Sequence, residues 1–188
     1  MINEKEVILR ILKGDKRAFS LLVDEYQRLI FHVVRRMVND PDEVEDVCQE
    51  VFIKVYKHIG SFSFKSKLST WIARIAYLAS VDHLKRNKSH IYDQYQESDH
   101  HHLAEDDSTP DVLLEQKDLS QYLNLLMLEL PENYRMVLTL YHLEEFSIQE
   151  IEGVLNMPAG TVKSCLFRAR ALLKEKVKYY LKNDHAKR

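Results

Sequence analysis

Thr161, Lys163, Ser164, Phe167, Arg168 and Arg170 crowd into one short stretch near the end of the chain. Cations spaced along one side of a helix can bond guanine edges or neutralise phosphates. What precedes them has the grammar of a helix-turn-helix. Ser147 and Glu150 have capping-box spacing. Ile148, Ile151, Val154 and Leu155 make an apolar face. Asn156 stands where the chain must leave that helix, and Asn tolerates the left-handed conformation. Pro158 and Gly160 are expected to stop the first helix, and Thr161 to cap the second, whose Val162, Leu166 and Ala169 can pack back on the first. In such a motif the second helix enters the major groove. A plain helical hairpin in a bundle is the bland alternative. Cap, turn and basic face nevertheless agree on DNA.

Other chemistry is sparse. His100, His101 and His102 lie near Glu105, Asp106 and Asp107, but adjacent histidines in a polar acidic stretch do not preorganise a metal site. Cys48 and Cys165 lack a CxxC partner. Cys48 is expected in the core, and Cys165 exposed near a helix N-terminus and Lys163, where slight activation would follow. There is no nucleophile–base pair and no phosphate loop. No catalytic residue, metal or cofactor is expected, and the chain does not read as an enzyme.

The elements that must position the basic residues are helices. The 188 residues are 45% hydrophobic and 30% charged, with only four Gly and four Pro. That scarcity of turn residues argues against β sandwiches and Rossmann folds and for an all-α chain. No apolar run reaches 18 residues, so no membrane span is expected. The charged start lacks a signal-peptide core, and two cysteines suit a reducing cytoplasm.

The net charge of −2 hides segregation. Nine acids crowd 93–118 against Lys117, nine bases occupy 161–188, and six bases occupy 65–88 against Asp82. Two basic zones around an acidic one fit a bipartite nucleic-acid binder. Along the chain, Val7, Ile8, Ile11 and Leu12 start a helical pattern. Phe19, Leu22, Tyr26, Ile30, Val33 and Met37 form a second stripe. Asp40-Pro41 caps and starts a third helix, with Glu43 placed to reach back. After a loop at 61–69 holding Phe62, Phe64, Lys65 and Lys67, Ser69 is expected to cap a helix from Thr70 to about Lys88. Trp71 shares its apolar stripe with Ile75 and Leu78, which favours core packing over base stacking. Periodicity fades from Ser89 to about Pro110 and returns from Asp111. The expected architecture is two small helical domains, 1–90 and 113–188, joined by a flexible acidic linker at 91–112. The C-terminal domain is the helix-turn-helix.

Two motifs then converge on one family. Gly160-Thr-Val-Lys-Ser-Cys-Leu-Phe-Arg-Ala-Arg170, preceded by Leu130-Pro-Glu-Asn-Tyr-Arg-Met-Val-Leu, resembles the −35-reading domain of bacterial extracytoplasmic-function (ECF) sigma factors. Asp46-Val-Cys-Gln-Glu-Val-Phe-Ile-Lys-Val-Tyr56 is similar to their polymerase-binding helix, and Phe62–Arg86 to their −10 element. The resemblance covers nearly the whole chain. It implies a dissociable initiation subunit of bacterial core RNA polymerase.

Under that resemblance, Asp46, Gln49, Glu50, Phe52 and Tyr56 would dock on a coiled coil of the polymerase's largest subunit. Phe62, Phe64, Lys65, Lys67, Arg74, Tyr77, Lys85 and Arg86 would read and open the −10 promoter element, with Lys88 a further phosphate contact. The C-terminal domain would sit on the flap of the second-largest subunit and read the −35 element. The acidic linker would thread the polymerase near the nascent RNA path. An anti-sigma protein is an expected further partner. Cys165 stands where the family usually has Arg, Leu78 where it often has Asn, Tyr77 where a basic residue precedes that Asn, and Glu152 where it has a small residue. These departures bear on promoter sequence rather than on fold. A linker of about 20 residues at ~3.3 Å each spans at most ~65 Å, so a mostly extended one can just bridge elements ~35–70 Å apart. A compact single domain could not readily touch both. A polymerase-independent helix-turn-helix regulator and a simple bundling protein remain as alternatives; the Asp46–Tyr56 motif favours the sigma factor over the regulator, and a bundling protein would show no salt-dependent DNA binding.

Overall fold

The computed structural model describes the backbone of residues 3–95 and 119–186. Among these, eight α-helices follow in order: α1 Glu4–Leu12, α2 Lys16–Arg35, α3 Pro41–His58, α4 Leu68–Tyr95, α5 Leu119–Leu128, α6 Glu132–His142, α7 Ile148–Leu155 and α8 Ala159–Ala186. A short 3-10 turn, Ile59–Ser61, follows α3. No strand occurs among the described residues. The acidic tract at 96–112 and the 100–102 histidines lie outside them.

Local chemistry accounts for the helix starts. Asn3 accepts from the Glu6 amide, and Asp15 from those of Arg17 and Ala18. Asp40 Oδ1 accepts from the Asp42 and Glu43 amides, with Pro41 at the first helical position. Glu43 does not reach back as expected; its carboxylate lies 3.2 Å from His83 on α4. Between α1 and α2 the chain turns at Gly14, whose φ of +86° an L side chain would resist.

Helix α2 is the spine of the first half, packed against α1, α3 and α4. Leu22, Ile30 and Val33 of α2 meet Val47 and Val51 of α3 and Leu68 and Ile72 of α4 in a fully buried core. Burying such a side chain contributes roughly 1.5–3 kcal/mol. Leu12 and Leu78 leave the stripes the periodicity gave them and are 55% and 46% exposed. In the second half, α8 packs on α5, α6 and α7 through Val162, Leu166 and Ala169.

Three expectations need correction. Helix α4 starts at Leu68 and runs to Tyr95, through residues read as the start of the linker. Nothing between 89 and 95 is Gly or Pro, and an established helix propagates through polar sequence at little cost. Helix α8 starts at Ala159, so Thr161 lies within its first turn rather than capping it. The first turn closes through the Val162 amide and the Pro158 carbonyl, 3.0 Å apart. Finally, the halves are not apart. Helix α4 packs on α7 and α2 touches α6, and the buried apolar cluster runs through both halves.

Candidate nucleic-acid interface

The first surface is the loop after α3 and the start of α4. Phe62 is buried, only 7% exposed. Its ring centroid lies 4.8 Å from that of Phe64 and 5.5 Å from that of Trp71, which is half-buried against the core. In this conformation Phe62 is therefore a floor beneath other rings rather than an open platform. Phe64 is the open one. It is 52% exposed and holds φ at +58°. A bulky residue in the left-handed region is a costly choice that the surroundings must enforce. Lys65 is exposed beside it.

The remaining candidates on this surface are engaged. Lys67 Nζ lies 2.9 Å from Glu150 Oε1 of α7. Arg74 donates to the Gly153 carbonyl, also on α7. The half-buried Tyr77 hydroxyl is pushed up from its ordinary pKa by burial, and then by the charge of Glu132 on α6. Lys85 is exposed. Arg86 donates to Glu50 Oε2 at 2.9 Å. The side chain of Lys88 lies outside the described residues.

The second surface is the start of α8. Its helix-turn-helix forms as the spacing predicts. Ser147 Oγ accepts from the Glu150 amide at 3.2 Å, while Glu150 Oε2 accepts from the Ser147 amide at 2.8 Å. Asn156 ends α7 in the left-handed conformation, φ +54° and ψ +44°. Thr161, Lys163, Ser164, Phe167 and Arg168 are all exposed, Phe167 by 76%. Ser164 Oγ donates to the Thr161 carbonyl at 2.9 Å. Arg170 is exposed but engaged within its own domain. Its guanidinium sits 5.1 Å over the Tyr141 ring, and its Nε donates to His142 Nε2 at 3.2 Å. It braces α6 against α8. Burial, then the charge of Arg170, lowers the His142 pKa, so that ring can accept.

The third surface lies on α3. Asp46 and Gln49 are exposed, and Tyr56 is 48% exposed with its ring edge against Phe19 at 5.0 Å. Phe52 is half-buried and also meets Phe19, at 6.5 Å. Glu50 faces away from this stripe towards α4. There it lies 2.9 Å from Lys54 and 2.9 Å from Arg86, and the Lys54 hydrogen bond leads in holding its carboxyl below the usual range. Two neighbours escaped the sequence reading. Ile53 is 53% exposed between Gln49 and Tyr56, and Phe31 is 50% exposed beside an open groove of ≈ 690 Å³ between α2 and α3. The signal for Ile53 was its place four positions from Gln49 and three from Tyr56; Phe31, on another helix, had no such signal. Cys48 lines the same groove, and burial, aided by Glu45, pushes its thiol up to about 11. Cys165 is half-buried against the core rather than fully exposed. Among the described residues no three His, Cys, Asp or Glu side chains gather as a metal site. None of the described helices is long and apolar enough to cross a membrane.

Both halves of the chain resemble known proteins. Residues 22–90 match the model for sigma-70 region 2, and residues 120–173 that for sigma-70 region 4. The chain is 33% identical to the ECF RNA polymerase sigma factor SigW of Bacillus subtilis, over 93% of this chain and 96% of that one. It is 35% identical to the ECF RNA polymerase sigma-E factor of Escherichia coli, over 94% and 95%. Among solved structures, the sigma factor RpoE of Bartonella quintana, in complex with the anti-sigma factor NepR, matches 85% of this chain and 96% of its own at 19% identity, TM-score 0.69. CnrH, in complex with the cytosolic domain of CnrY, matches 94% and 97% at 19% identity, TM-score 0.65. The chain belongs to the ECF sigma factors. It directs transcription initiation.

Proposed function

We propose a division of this work among the three surfaces. The α3 stripe of Asp46, Gln49 and Tyr56, joined by Ile53 and backed by Phe52, docks on the largest subunit of core polymerase. The start of α8, through Lys163, Ser164, Phe167 and Arg168, reads the −35 element in the major groove. Thr161 sits at its leading edge and Arg170 holds it in place. Phe64, with Lys65 and Lys67, captures unstacked −10 bases, while Arg74, Lys85 and Arg86 take the backbone and Tyr77 lines the strand's path. Phe62 and Trp71 support Phe64.

The observation that carries this reading is Phe64, an exposed ring held on a left-handed backbone over buried aromatics and flanked by lysines. A regulator that binds closed duplex has no use for such a residue. A protein that stabilises single strands gains roughly 1–3 kcal/mol for each stacked base. The chain supplies binding energy and no covalent step. It works in the cytoplasm beside polymerase, and the flap of the second-largest subunit carries its C-terminal half. An anti-sigma protein is a further partner; of the structural neighbours above, RpoE was solved with the anti-sigma factor NepR and CnrH with the cytosolic domain of CnrY.

The test is in vitro transcription with core enzyme, this chain and fragmented genomic template. Discrete transcripts whose start sites share a −35/−10 pair support the assignment. Strong binding to core without any promoter-specific transcript overturns it.

A further inference from the structure

Helix α8 runs on past the part of it that resembles sigma-70 region 4. That match ends at residue 173, whereas the helix continues to Ala186. The exposed side that carries the −35 residues continues with it. Phe167 is followed seven and eleven positions later by Lys174 and Lys178, intervals that return a helical residue to the same side. Both lysines are exposed. Their neighbours on the other sides are engaged within the fold. Leu173 packs against the core, and Lys176 is paired with Glu129 of α5. These contacts tie the extension to the domain that carries the recognition turns. Among the described residues no carboxylate pairs with Lys174. Lys178 has Glu175 at 3.9 Å, with both side chains more than half in water, and a pair of that kind contributes little.

We propose that Lys174 and Lys178 form a phosphate rail: with the start of α8 in the major groove of the −35 element, their two ammonium groups hold the DNA backbone at the border of that groove, whatever its sequence. The inference rests on the −35 role assigned to α8 above and extends it to duplex that the recognition turns do not read. A helix rises 1.5 Å per residue, so Lys174 stands about 16 Å and Lys178 about 22 Å along the axis from Lys163. A major groove about 12 Å wide accommodates the turns from Lys163 to Arg168. The next two turns carry the helix out over the bordering strand, where phosphates rather than base edges are offered. Lysine suits that place. Its compact ammonium on a flexible stem meets any phosphate, whereas base reading favours a planar fork. Two more neutralised phosphates release counterions and so add affinity without adding preference.

Salt titrations of the holoenzyme test the rail. Core polymerase carrying wild type or K174A/K178A is titrated, at several salt concentrations, with a promoter duplex recovered in the transcription experiment, matched or mismatched in its −35 element. The double variant is expected to bind at least about fivefold more weakly at low salt, by the same factor on both duplexes, and to lower the salt slope by about two. K174R/K178R is expected to restore affinity and slope. On duplexes with methylphosphonate linkages at the groove's borders, which lack the backbone charge, wild type and K174A/K178A are expected to bind alike. An unchanged slope overturns the rail, and so do a loss confined to the matched duplex and a gap that persists on the neutralised one. A loss that appears as weaker affinity for core overturns it as well, by placing the lysines on polymerase. K174Q/K178Q keeps the aliphatic stems and decides alone if the alanine variant does not fold; a wild-type slope in it overturns the rail. Equal binding of matched and mismatched duplex by the wild-type holoenzyme overturns the −35 reading instead.

Discussion

Arg86 Nη2 donates to Glu50 Oε2 at 2.9 Å, joining the helix assigned to polymerase to the helix assigned to the −10 element. Glu50 was read from the sequence as a polymerase contact. In the structure it faces α4 and fixes the start of a basic pair. E50Q is expected to weaken binding of a −10 single strand by severalfold while changing affinity for core polymerase by less than about twofold. Fold stability should move by no more than about 1 kcal/mol, the usual limit for a partly exposed pair. Fluorescence titrations against oligonucleotide and against core separate the two effects. A loss confined to core affinity would return Glu50 to the polymerase face.

Phe64 offers a cleaner separation of stability from function. A non-glycine residue in the left-handed region costs about 1–2 kcal/mol, and glycine adopts it without strain. F64G gives up some contact with Phe62, but half of the ring was already in water. The variant is expected to unfold within about 1 kcal/mol of wild type, on either side of it. Open-complex formation, followed by permanganate reactivity of −10 thymines, should fall at least about tenfold, the equivalent of one lost stacking contact. A variant that melts promoters normally would remove Phe64 from the assignment.

Lys163 and Arg168 stand exposed on the leading turns of α8. Charge reversal at either, K163E or R168E, is expected to weaken −35 duplex binding by roughly 1–3 kcal/mol. A residue that holds only a phosphate weakens all sequences alike and lowers the salt slope by about one. A residue that reads a base relaxes preference at one position. Titrations at several salt concentrations, on matched and mismatched sites, distinguish the roles; unchanged affinity in both variants would move the recognition face elsewhere.

How far the sequence carried these assignments depends on how local the physics is. Asp40-Pro41 and the Ser147/Glu150 box were legible because a cap is settled within four residues. Asn156 was legible because one backbone conformation ends α7 there. Phe62 was not, because a loop has no periodicity to separate a buried ring from an exposed one. The extension of α4 to Tyr95 was hidden by polar composition, which says little about whether a helix already under way will stop. The seam between the halves was least legible of all. Thr70 and Glu150 are 80 residues apart, and Arg36 and Thr139 are 103 apart. Nothing near Arg36, on a stripe shared with Val33 and Met37, announces that its partner is a threonine on α6.

Glu150 makes the seam sensitive to acid. Burial alone would raise its carboxyl. The Ser147 amide and the Lys67 ammonium outweigh that and hold it below the ordinary value of 4.5. A depressed folded pKa adds stability that is fully present above the unfolded value and is lost as pH falls through the folded one. Stability of the second half should therefore hold down to about pH 4.5 and decline below it. E150Q, which cannot titrate, should be less stable at neutral pH and show a flatter acid limb. Urea denaturation followed by circular dichroism between pH 3 and 7 checks both. An acid limb identical in the two chains would place the titration on another carboxylate.

Cys48 reports on the polymerase face without any substitution. It lines the groove between α2 and α3, and its thiol is pushed up to about 11. Only the thiolate alkylates, so at pH 8 the folded chain should react with iodoacetamide at Cys48 at least about tenfold more slowly than the urea-unfolded chain, where the thiol returns to about 8.5. The folded rate should climb with each unit of pH up to about 11. A chain alkylated at Cys48 carries a bulky group beside Gln49 and Phe52, and its affinity for core polymerase should fall while −35 binding by α8 is unchanged. Mass spectrometry of the labelled chain, followed by competition for core, tests the two halves of this together. Rapid labelling at pH 8 would show the thiol to be less shielded than its place in the groove implies, and full retention of core affinity after labelling would move the docking surface off this groove.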